Sequence, residues 1–378
     1  MPDKPTLFCV IGTRPEAIKM APVVLELRRY SYLAETVLIS TGQHREILLQ
    51  ALATFGLNLD EDLEIMTHGQ TLAQVTSRAV EGLDSLIADR QPSMVLAQGD
   101  TTTTFAAALV SFYRRVPFAH IEAGLRTDTI DNPFPEEFNR RAAGLVAGLH
   151  FPPTTWARDN LLSEGKNPET IHVTGNTGVD AVLAAANATS AQWYPSHAGR
   201  VLVLTTHRRE NWGDPQRRIA SAIRELVDEF PDVLLVTPMH PNPQVREVLR
   251  AELGDHPRIE LIEPPEYESF VGLMKRANLI YTDSGGVQEE APAFGIPVLV
   301  LRDTTERPEG VTAGTAKLIG TRREEILNEG RRLLSDESAY REMAQAVSPY
   351  GDGHASERIR FHVLRQMGIE SPEVPHWN

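Results

Sequence analysis

Short apolar runs alternate with longer stretches of helical spacing along the whole chain. Most of the runs are rich in Val, Ile and Leu, which is typical of parallel strands covered by helices on both faces. Strands that alternate with helices form doubly wound α/β sheets, so we predict this fold class. The predicted strands are 7–11, 37–40, 94–97, 118–121, 149–151, 171–173, 201–204, 233–236, 259–262, 279–281, 298–301 and 316–319.

A segment of loose composition separates the first six runs from the last six. Residues 184–199 are rich in Ala, Ser and Thr, and they follow the turn-like sequence GNTG at 175–178. A chain of 378 residues is long enough for two domains of ordinary size. We therefore predict two sheets in two domains, with the boundary in or after this turn. A C-terminal helix near 356–367 can pack on either domain.

Charge and cysteine content exclude several classes of protein. The 51 acidic side chains outnumber the 37 basic ones, so the formal net charge is −14, which disfavours nucleic acid and anionic membranes as partners. The single cysteine, Cys9, excludes a disulfide framework and a cysteine-rich zinc site. No apolar run reaches the roughly 18 residues of a membrane span, and the N-terminus lacks a signal pattern. We therefore expect a cytoplasmic protein.

A serine and two glycines follow the predicted strand 279–281, at the edge where open α/β sheets bind their ligands. Ser284 can cap the next helix, while Gly285 and Gly286 let the backbone approach a ligand. The unpaired N–H groups and the helix dipole then favour a phosphate. Glu290, one turn later, can accept hydrogen bonds from ribose hydroxyls. The alternative for the loop is an ordinary serine-capped turn, and the alternative for Glu290 is a solvated helix carboxylate.

Basic side chains follow the first predicted strand of each half. Arg14 and Lys19 can offer positive charge to a diphosphate, although a surface salt bridge is an equal alternative. His207 can donate to a phosphate or transfer a proton, although a lone histidine is more often structural. The chain contains neither G-x-G-x-x-G nor G-x-x-x-x-G-K-[ST], so nicotinamide dinucleotides and P-loop ATP hydrolysis are disfavoured.

Three carboxylates of the N-terminal half are candidates for acid–base catalysis. Asp100 and Glu122 follow adjacent predicted strands, and Glu136 lies a little further along. Capping of the next helix is the alternative for Asp100. His120 and Glu122 form the H-x-E of zinc deaminases, but the matching P-C-x-x-C is absent, as is HExxH. The sequence therefore predicts neither a metal site nor a cofactor.

Eight motifs in order resemble the non-hydrolysing UDP-N-acetylglucosamine 2-epimerases of bacteria. They are GTRPEAIK from residue 12, TGQHRE from 41, QGDTTT from 98, IEAGLRT from 121, PEE from 135, THRREN from 206, DSGGVQEE from 283 and RDTTERPE from 302. The resemblance implies a GT-B-like fold, in which two Rossmann-like domains face each other across a cleft. It implies an N-terminal domain of 1–178 joined by a C-terminal helix at about 355–378, and a UDP-binding domain of 179–354.

The same resemblance implies the activity and its residues. Family members interconvert UDP-GlcNAc and UDP-ManNAc without a cofactor, by eliminating UDP to 2-acetamidoglucal and adding it back. The expected ligands are therefore UDP-GlcNAc, UDP-ManNAc and UDP. We also expect a homodimer. The implied catalytic residues are Asp100, Glu122, Glu136 and His207. The implied residues of the UDP-sugar site are Arg14, Lys19, Asp100, Glu122, His207, Phe270, Ser284, Gly285, Gly286, Glu290 and Arg307. At a uracil-side position where some members carry Gln, this chain has Pro265.

Roles for the catalytic residues follow from the chemistry of elimination. We expect Asp100 and Glu136 to transfer protons, Glu122 to orient sugar hydroxyls and His207 to stabilise the departing phosphate. A GT-B glycosyltransferase, a hydrolysing epimerase and a catalytically silent nucleotide-sugar sensor remain alternatives; the intact acids argue against the sensor.

Some family members also bind an activating UDP-GlcNAc beside the active site. The matching residues here are Gln43, His44, Gln70, Arg208, Glu210 and His240. Gly69 departs from the arginine that some allosteric members carry, which puts the activation in doubt. Loop capping is the alternative for these polar groups, above all for Gln70.

Overall fold

Two compact units make up the chain. The computed structural model describes residues 4–42, 45–67, 69–127 and 129–377. The first unit comprises Met1–Ala184 and Tyr350–Asn378, and the second comprises Ala185–Pro349. The chain first passes from one unit to the other within a helix, Thr177–Ala188, rather than in a loop. The limits expected from the sequence, 178 and 354, differ from these boundaries by a few residues.

The first unit is built on a six-stranded parallel sheet. Its strands are β1 (Thr6–Ile11), β2 (Glu35–Ser40), β3 (Glu61–Asp62), β4 (Met94–Gln98), β5 (Phe118–Ile121) and β6 (Leu149–Phe151). Its helices are α1 (Arg14–Arg29), α2 (Arg45–Thr54), α3 (Leu72–Arg90), α4 (Thr102–Arg114), α5 (Glu136–Val146), α6 (Thr155–Ser163) and α7 (Thr177–Ala188), the last of which runs into the second unit. The strand order is β3-β2-β1-β4-β5-β6, which is the order of a Rossmann fold.

The second unit repeats this topology. Its strands are β7 (Arg200–Thr205), β8 (Val233–Pro238), β9 (Ile259–Ile262), β10 (Leu279–Thr282), β11 (Val298–Val300) and β12 (Ala316–Leu318). Its helices are α8 (Asp214–Glu229), α9 (Pro243–Leu253), α10 (Tyr267–Arg276), α11 (Gly285–Glu290), α12 (Pro308–Ala313), α13 (Arg323–Ser335) and α14 (Glu337–Ala344). The order β12-β11-β10-β7-β8-β9 is again doubly wound and parallel. The predicted fold class is confirmed.

One predicted strand is wrong. Residues 171–173 form only an isolated bridge from Ile171 to His150, although His172 N donates to His150 O at 2.9 Å. The sixth strand of the first sheet is instead β3, at the opposite edge. It consists of two half-buried acidic residues, so it has no apolar run that a sequence pattern can detect.

A separate apolar core stabilises each unit. In the first, Phe8 and Val95 of the sheet pack with Leu83 of α3; in the second, Leu202 of the sheet packs with Leu226 of α8. All of these side chains are almost completely buried. Burial on both faces of the sheets explains why the central strands are continuous apolar runs without alternation. Among the described residues, no helix has the length and apolar character to cross a membrane.

The C-terminal helix, α15 (Ala355–Gln366), belongs to the first unit and packs on α1. Its Arg360 is only 2% exposed; it pairs with Glu26 of α1 at 3.3 Å and lies 4.5 Å from the ring centre of Tyr30. The buried carboxylate of Asp180 on α7 accepts hydrogen bonds from the N–H groups of Ala355 and Ser356. This carboxylate satisfies N–H groups that a helix N-terminus otherwise leaves unpaired.

Candidate active site

Each sheet reverses its strand order beside its first strand, and the loops at these two points carry many of the predicted site residues. In the first unit the loops follow β1 and β4, and in the second they follow β7 and β10. Open α/β sheets bind ligands at such switch points, beyond the carboxyl ends of the strands. The two loops of each pair are also joined by a buried carboxylate.

In the first unit the joining carboxylate is Glu16, which is 1% exposed. Its Oε2 accepts from Gly12 N at 3.0 Å and Thr13 N at 2.7 Å, and its Oε1 accepts from Thr101 Oγ1 at 2.6 Å and Thr104 Oγ1 at 3.2 Å. Burial raises the pKa of Glu16, and these hydrogen bonds oppose the increase. Glu16 thereby holds the Gly12–Arg14 loop against the start of α4.

Gly12 is required by this close packing of the two loops. A Cβ at Gly12 would lie 2.0 Å from Thr103 Oγ1 and 2.6 Å from Thr41 Oγ1. The glycine therefore serves the contact between loops rather than the approach of a ligand. Arg14, two residues later, begins α1 and is exposed.

Asp100 follows β4 and is held by α5 through two residues. Its Oδ2 accepts from Nε of Arg140 at 3.1 Å and from Nη2 at 2.5 Å. Its backbone carbonyl accepts from Asn139 Nδ2 at 2.9 Å. The N-cap of α4 is Thr101, whose side chain accepts from two backbone N–H groups. Helix capping, the alternative weighed for Asp100, is therefore wrong.

Glu136 and Glu137 begin α5 but lie in different environments. Glu136 is half-buried and makes no hydrogen bond or ion pair with the residues that the structure describes. Glu137 is fully buried and accepts from Thr127 N at 3.2 Å, from Arg140 Nη1 at 3.0 Å and from Arg141 Nε at 2.6 Å. Glu137 thus anchors the helix, while the Glu136 carboxylate remains available to a substrate.

The H-x-E pattern at the end of β5 contains two residues with unrelated environments. Glu122 adopts a left-handed backbone conformation with φ of 60°, and its Oε2 lies 2.5 Å from Lys19 Nζ. His120 is buried, and its Nε2 lies 2.7 Å from the carbonyl oxygen of Gly99. Burial lowers the pKa of His120 to about 4, so it is a neutral structural residue at pH 7. The unfavourable backbone of Glu122 indicates a constrained position, as is common in functional sites.

In the second unit the joining carboxylate is Asp283, which follows β10 and is fully buried. Its Oδ1 lies 2.9 Å from His207 Nδ1, and its Oδ2 accepts from Arg208 N at 3.0 Å, Thr206 Oγ1 at 3.2 Å and Asn211 Nδ2 at 2.9 Å. Burial alone would raise the pKa of Asp283, but the hydrogen bonds, led by that of His207, hold it below its usual range. An ionised Asp283 fixes the proton on Nδ1 of His207 and leaves Nε2 for a ligand.

The loop from β10 to α11 brings a guanidinium next to its glycines. A Cβ at Gly285 would lie 2.9 Å from Cζ of Arg307, so only glycine admits this arginine without displacement. Gly286 is less crowded, since a Cβ there would have its nearest neighbours at 3.9 Å. Ser284 occupies the N-cap position but its side chain makes no capping hydrogen bond; its N–H donates to Thr282 Oγ1.

Two acidic residues at the end of α11 face different partners. Nε of Arg307 donates to Oε1 of buried Glu289 at 2.7 Å, which fixes the guanidinium. Glu290 is half-buried and lies near Tyr267 of α10. Burial raises the pKa of Tyr267 well above its usual range, and the negative charge of Glu290 adds to the increase. Phe270, on the same helix, is also half-buried.

Nearly the whole chain matches one family of known proteins. The model of the family described as UDP-N-acetylglucosamine 2-epimerase matches residues 26–364. The chain belongs to this family. The UDP-N-acetylglucosamine 2-epimerase of Bacillus subtilis is 50% identical over 369 residues, which are 97% of each chain. The epimerase family belongs to the isomerases, so the enzyme class expected from the motifs is confirmed.

Solved structures of the epimerase family share the fold of both units. A structure of UDP-GlcNAc 2-epimerase from Neisseria meningitidis, bound to UDP-GlcNAc, has a TM-score of 0.87 at 43% identity and covers 95% of this chain and 100% of its own. A structure from S. aureus with UDP has a TM-score of 0.88 at 46% identity, with 99% and 100% covered. The GT-B-like class that the motifs implied is thereby confirmed.

The second-site residues implied by resemblance to allosteric epimerases are only partly described. Gln43 and His44 lie outside the residues that the structure describes. Gln70 is occupied within its own loop, since its Oε1 accepts from Thr67 N at 2.8 Å and its Nε2 donates to Ile65 O at 2.9 Å. These bonds support loop capping for Gln70.

The other implied second-site residues of this epimerase follow β7 and β8. The rings of His240 and His207 lie 6.2 Å apart between centroids, with their planes inclined by 28°. Arg208 is half-buried, and exposed Glu210 pairs with Arg302 at 3.0 Å. Burial, followed by the charge of His207, lowers the pKa of His240. A second-site role for these residues stays a prediction.

Three side chains that hold the candidate site residues in place were not among the predicted site residues. Glu16 carries a local signal, because Thr13 and Glu16 form the T-x-x-E capping box. Asp283 begins one of the eight motifs, but the motif does not show that Asp283 contacts His207. Arg140 carries no signal, since its partner Asp100 lies 40 positions earlier.

Proposed function

We propose that this epimerase interconverts UDP-GlcNAc and UDP-ManNAc by eliminating UDP to 2-acetamidoglucal and adding it back. The observation that carries the proposal is the relation of two carboxylates to one helix. Glu136 is the first residue of α5, and Asp100 is bound by Arg140 of the same helix. UDP and UDP-GlcNAc, which relatives bind in their structures, are the ligands we propose for this chain.

The proposed route avoids a proton transfer that is otherwise very slow. The hydrogen at C2 of the sugar is not adjacent to a carbonyl group, so it is barely acidic. In elimination a base removes this proton, the C–H electron pair forms the C1–C2 double bond, and UDP leaves C1 with the bonding electrons. Re-addition of UDP with protonation on the opposite face gives the epimer. Such a route needs two acid–base groups and positive charge at the diphosphate.

The proposed roles are divided between the two units. In the first unit Asp100 and Glu136 transfer the protons, while Glu122, fixed by Lys19 at 2.5 Å, orients the sugar hydroxyls. In the second unit His207 stabilises the departing phosphate with Nε2, because Nδ1 is engaged by Asp283.

The second unit also supplies the groups that we propose for nucleotide binding. They are Ser284, Gly285, Gly286 and Arg307 for the diphosphate, Glu290 for the ribose and Phe270 for the base. Arg14 of the first unit adds an exposed positive charge.

Solvent deuterium tests this route. With UDP-GlcNAc in D2O, we expect UDP-ManNAc to form with deuterium at C2 and the recovered UDP-GlcNAc to gain deuterium as well, because the glycal is reprotonated from either face. NMR or mass spectrometry of both nucleotide sugars measures the exchange. Product without solvent deuterium would exclude elimination. Free ManNAc would indicate a hydrolysing enzyme, and turnover only with an added sugar acceptor would indicate a glycosyltransferase.

We also propose that the protein is a homodimer that buries an apolar stripe of α4 and α5. The stripe consists of Phe105 and Phe112 on α4 and Phe138 and Leu145 on α5, each pair spaced seven residues apart on one helix face. The rings of Phe105 and Phe138 lie 5.6 Å apart, while Phe112 and Leu145 are 62% and 77% exposed. Apolar side chains exposed side by side indicate an interaction surface.

Light scattering tests the homodimer. We expect about twice the chain mass for the wild type and the mass of one chain for Phe112→Glu combined with Leu145→Glu, because two charges would be buried without partners. Leu162→Glu, at an exposed position of α6, is the matched control and should leave the mass unchanged. A monomeric wild type, or a double variant that keeps the mass of two chains, would exclude this interface.

A further inference from the structure

We propose that Arg140 is a positioning residue, which fixes one oxygen of Asp100 and thereby sets Asp100 in place relative to Glu136. The inference rests on the proposed function, since it assumes that these two carboxylates transfer protons. Arg140 lies on the fifth position of α5 and is 9% exposed. None of the motifs that carry the family resemblance contains it.

The guanidinium binds Asp100 in a defined geometry. Nε and Nη2 of Arg140 both donate to Oδ2 of Asp100, at 3.1 and 2.5 Å. Two donors from one rigid planar group fix the position of this oxygen and thereby restrict the movement of the carboxylate. Asn139 adds a third contact from the same helix, by donating to the backbone carbonyl of Asp100 at 2.9 Å. Because Oδ2 is occupied, Oδ1 is the oxygen that this arrangement leaves for a proton.

Arg140 is itself held by a buried anion. Its Nη1 donates to Oε2 of Glu137 at 3.0 Å, and Glu137 is fully buried. The guanidinium therefore binds two carboxylates, of which Glu137 is fully buried and lies on α5 itself. Asp100 is more exposed, at 24% of its side chain, so it is the partner that Arg140 orients.

The same helix places Glu136 beside this contact. Glu136 and Arg140 are four residues apart on α5, so their Cβ atoms lie about 6 Å apart on one helix face. One rigid turn thus carries Glu136 directly and Asp100 through the guanidinium. Loss of the two hydrogen bonds from Arg140 would free the Asp100 side chain to rotate without moving Glu136.

Arg141 provides a matched control on the same helix. Its Nε donates to Oε1 of Glu137 at 2.6 Å, and its Nη2 donates to Thr127 O at 3.1 Å. It therefore shares the buried partner of Arg140 but makes no contact with Asp100 among the hydrogen bonds of the described residues. A defect that comes only from weakening the Glu137 anchor would appear in both arginine variants.

The test compares arginine variants by kcat and by affinity for UDP. We expect Arg140→Met to lower kcat by about 10- to 100-fold with the Kd of UDP within about threefold of wild type, because a misplaced catalytic group costs rate rather than nucleotide binding. Arg140→Lys keeps the positive charge but not the pair of hydrogen-bond donors, so its kcat should lie between those of Arg140→Met and the wild type. Arg141→Met should stay within about twofold. Full activity of Arg140→Met, or of Arg140→Lys should the former fail to fold, would overturn the inference.

A double-mutant cycle shows whether Arg140 acts through Asp100. In an Asp100→Asn background, Arg140→Met should lower kcat by less than about threefold further, because the group that it positions is already lost. Full additivity of the two losses would overturn the positioning role. If Asp100→Asn alone keeps wild-type turnover, the proposed function fails and this inference with it. If Asp100→Asn is inactive while Arg140→Met is normal, only the inference fails.

Discussion

Asp100→Asn, Glu122→Gln and Glu136→Gln are each expected to lower kcat by about 10²-fold or more, while the Kd of UDP stays within about threefold. Each substitution removes a carboxylate of the first unit and keeps the size of the side chain. The nucleotide, in contrast, is proposed to bind mainly to the second unit. The rate should therefore fall without a matching loss of affinity. Steady-state kinetics and calorimetric titration with UDP measure the two effects.

The matched control for these substitutions is Asp84→Asn. Asp84 of α3, whose side chain is 37% exposed, pairs with Arg114, so its loss changes the charge equally without touching the candidate site. Its kcat should stay within about twofold of wild type. A fall in UDP affinity as large as the fall in turnover would mean that the three acids are structural.

Isotope exchange further separates Asp100 from Glu136. One of the two carboxylates removes the C2 proton of UDP-GlcNAc, and the other protonates the opposite face of the glycal. A variant that lacks only the second carboxylate can still remove and restore the proton on the original face. In D2O it should therefore label UDP-GlcNAc without forming UDP-ManNAc, whereas the other variant should do neither. The pattern assigns a face to each carboxylate. Equal exchange and equal epimerisation in both variants would contradict a two-residue mechanism.

Asp283→Asn is expected to lower kcat by about 10²-fold or more, since the same substitution of a buried aspartate that fixes a catalytic histidine costs about 10⁴-fold in a serine protease. The Asp283 carboxylate lies 2.9 Å from His207 Nδ1 and accepts from backbone and side-chain donors around it. The amide of asparagine cannot accept at both positions and carries no charge. His207 would then lose the partner that fixes its tautomer and its ring orientation.

Asp228→Asn is the matched control in the same unit. Asp228 lies 3.0 Å from His256 Nε2, so the substitution removes a second aspartate–histidine pair, whose aspartate is 59% exposed. We expect kcat within about twofold of wild type. Thermal unfolding of both variants checks that Asp283→Asn remains folded. Normal turnover in a folded Asp283→Asn protein would show that His207 needs no anionic partner.

The apolar runs were sufficient to predict most of the sheets. A central parallel strand is buried on both faces, so its own residues carry the signal, as in β1 and β4. The errors lie at the edges of the first sheet. β3 comprises only Glu61 and Asp62, and the apolar segment 171–173 makes a bridge rather than a strand. Edge pairing depends on neighbouring strands, and a local pattern does not contain this information.

The sequence by itself determined the fold class, through its apolar runs, and the family, through motifs of adjacent residues; it also predicts a site at the carboxyl ends of the strands. Only the tertiary structure decided which charged groups meet. Asp100 and Arg140 are 40 positions apart, His207 and Asp283 are 76, and Lys19 and Glu122 are 103. Such pairs form because parallel strands place the ends of distant segments side by side. Their separation in sequence reflects the helices that connect the strands, so no local spacing encodes the contact.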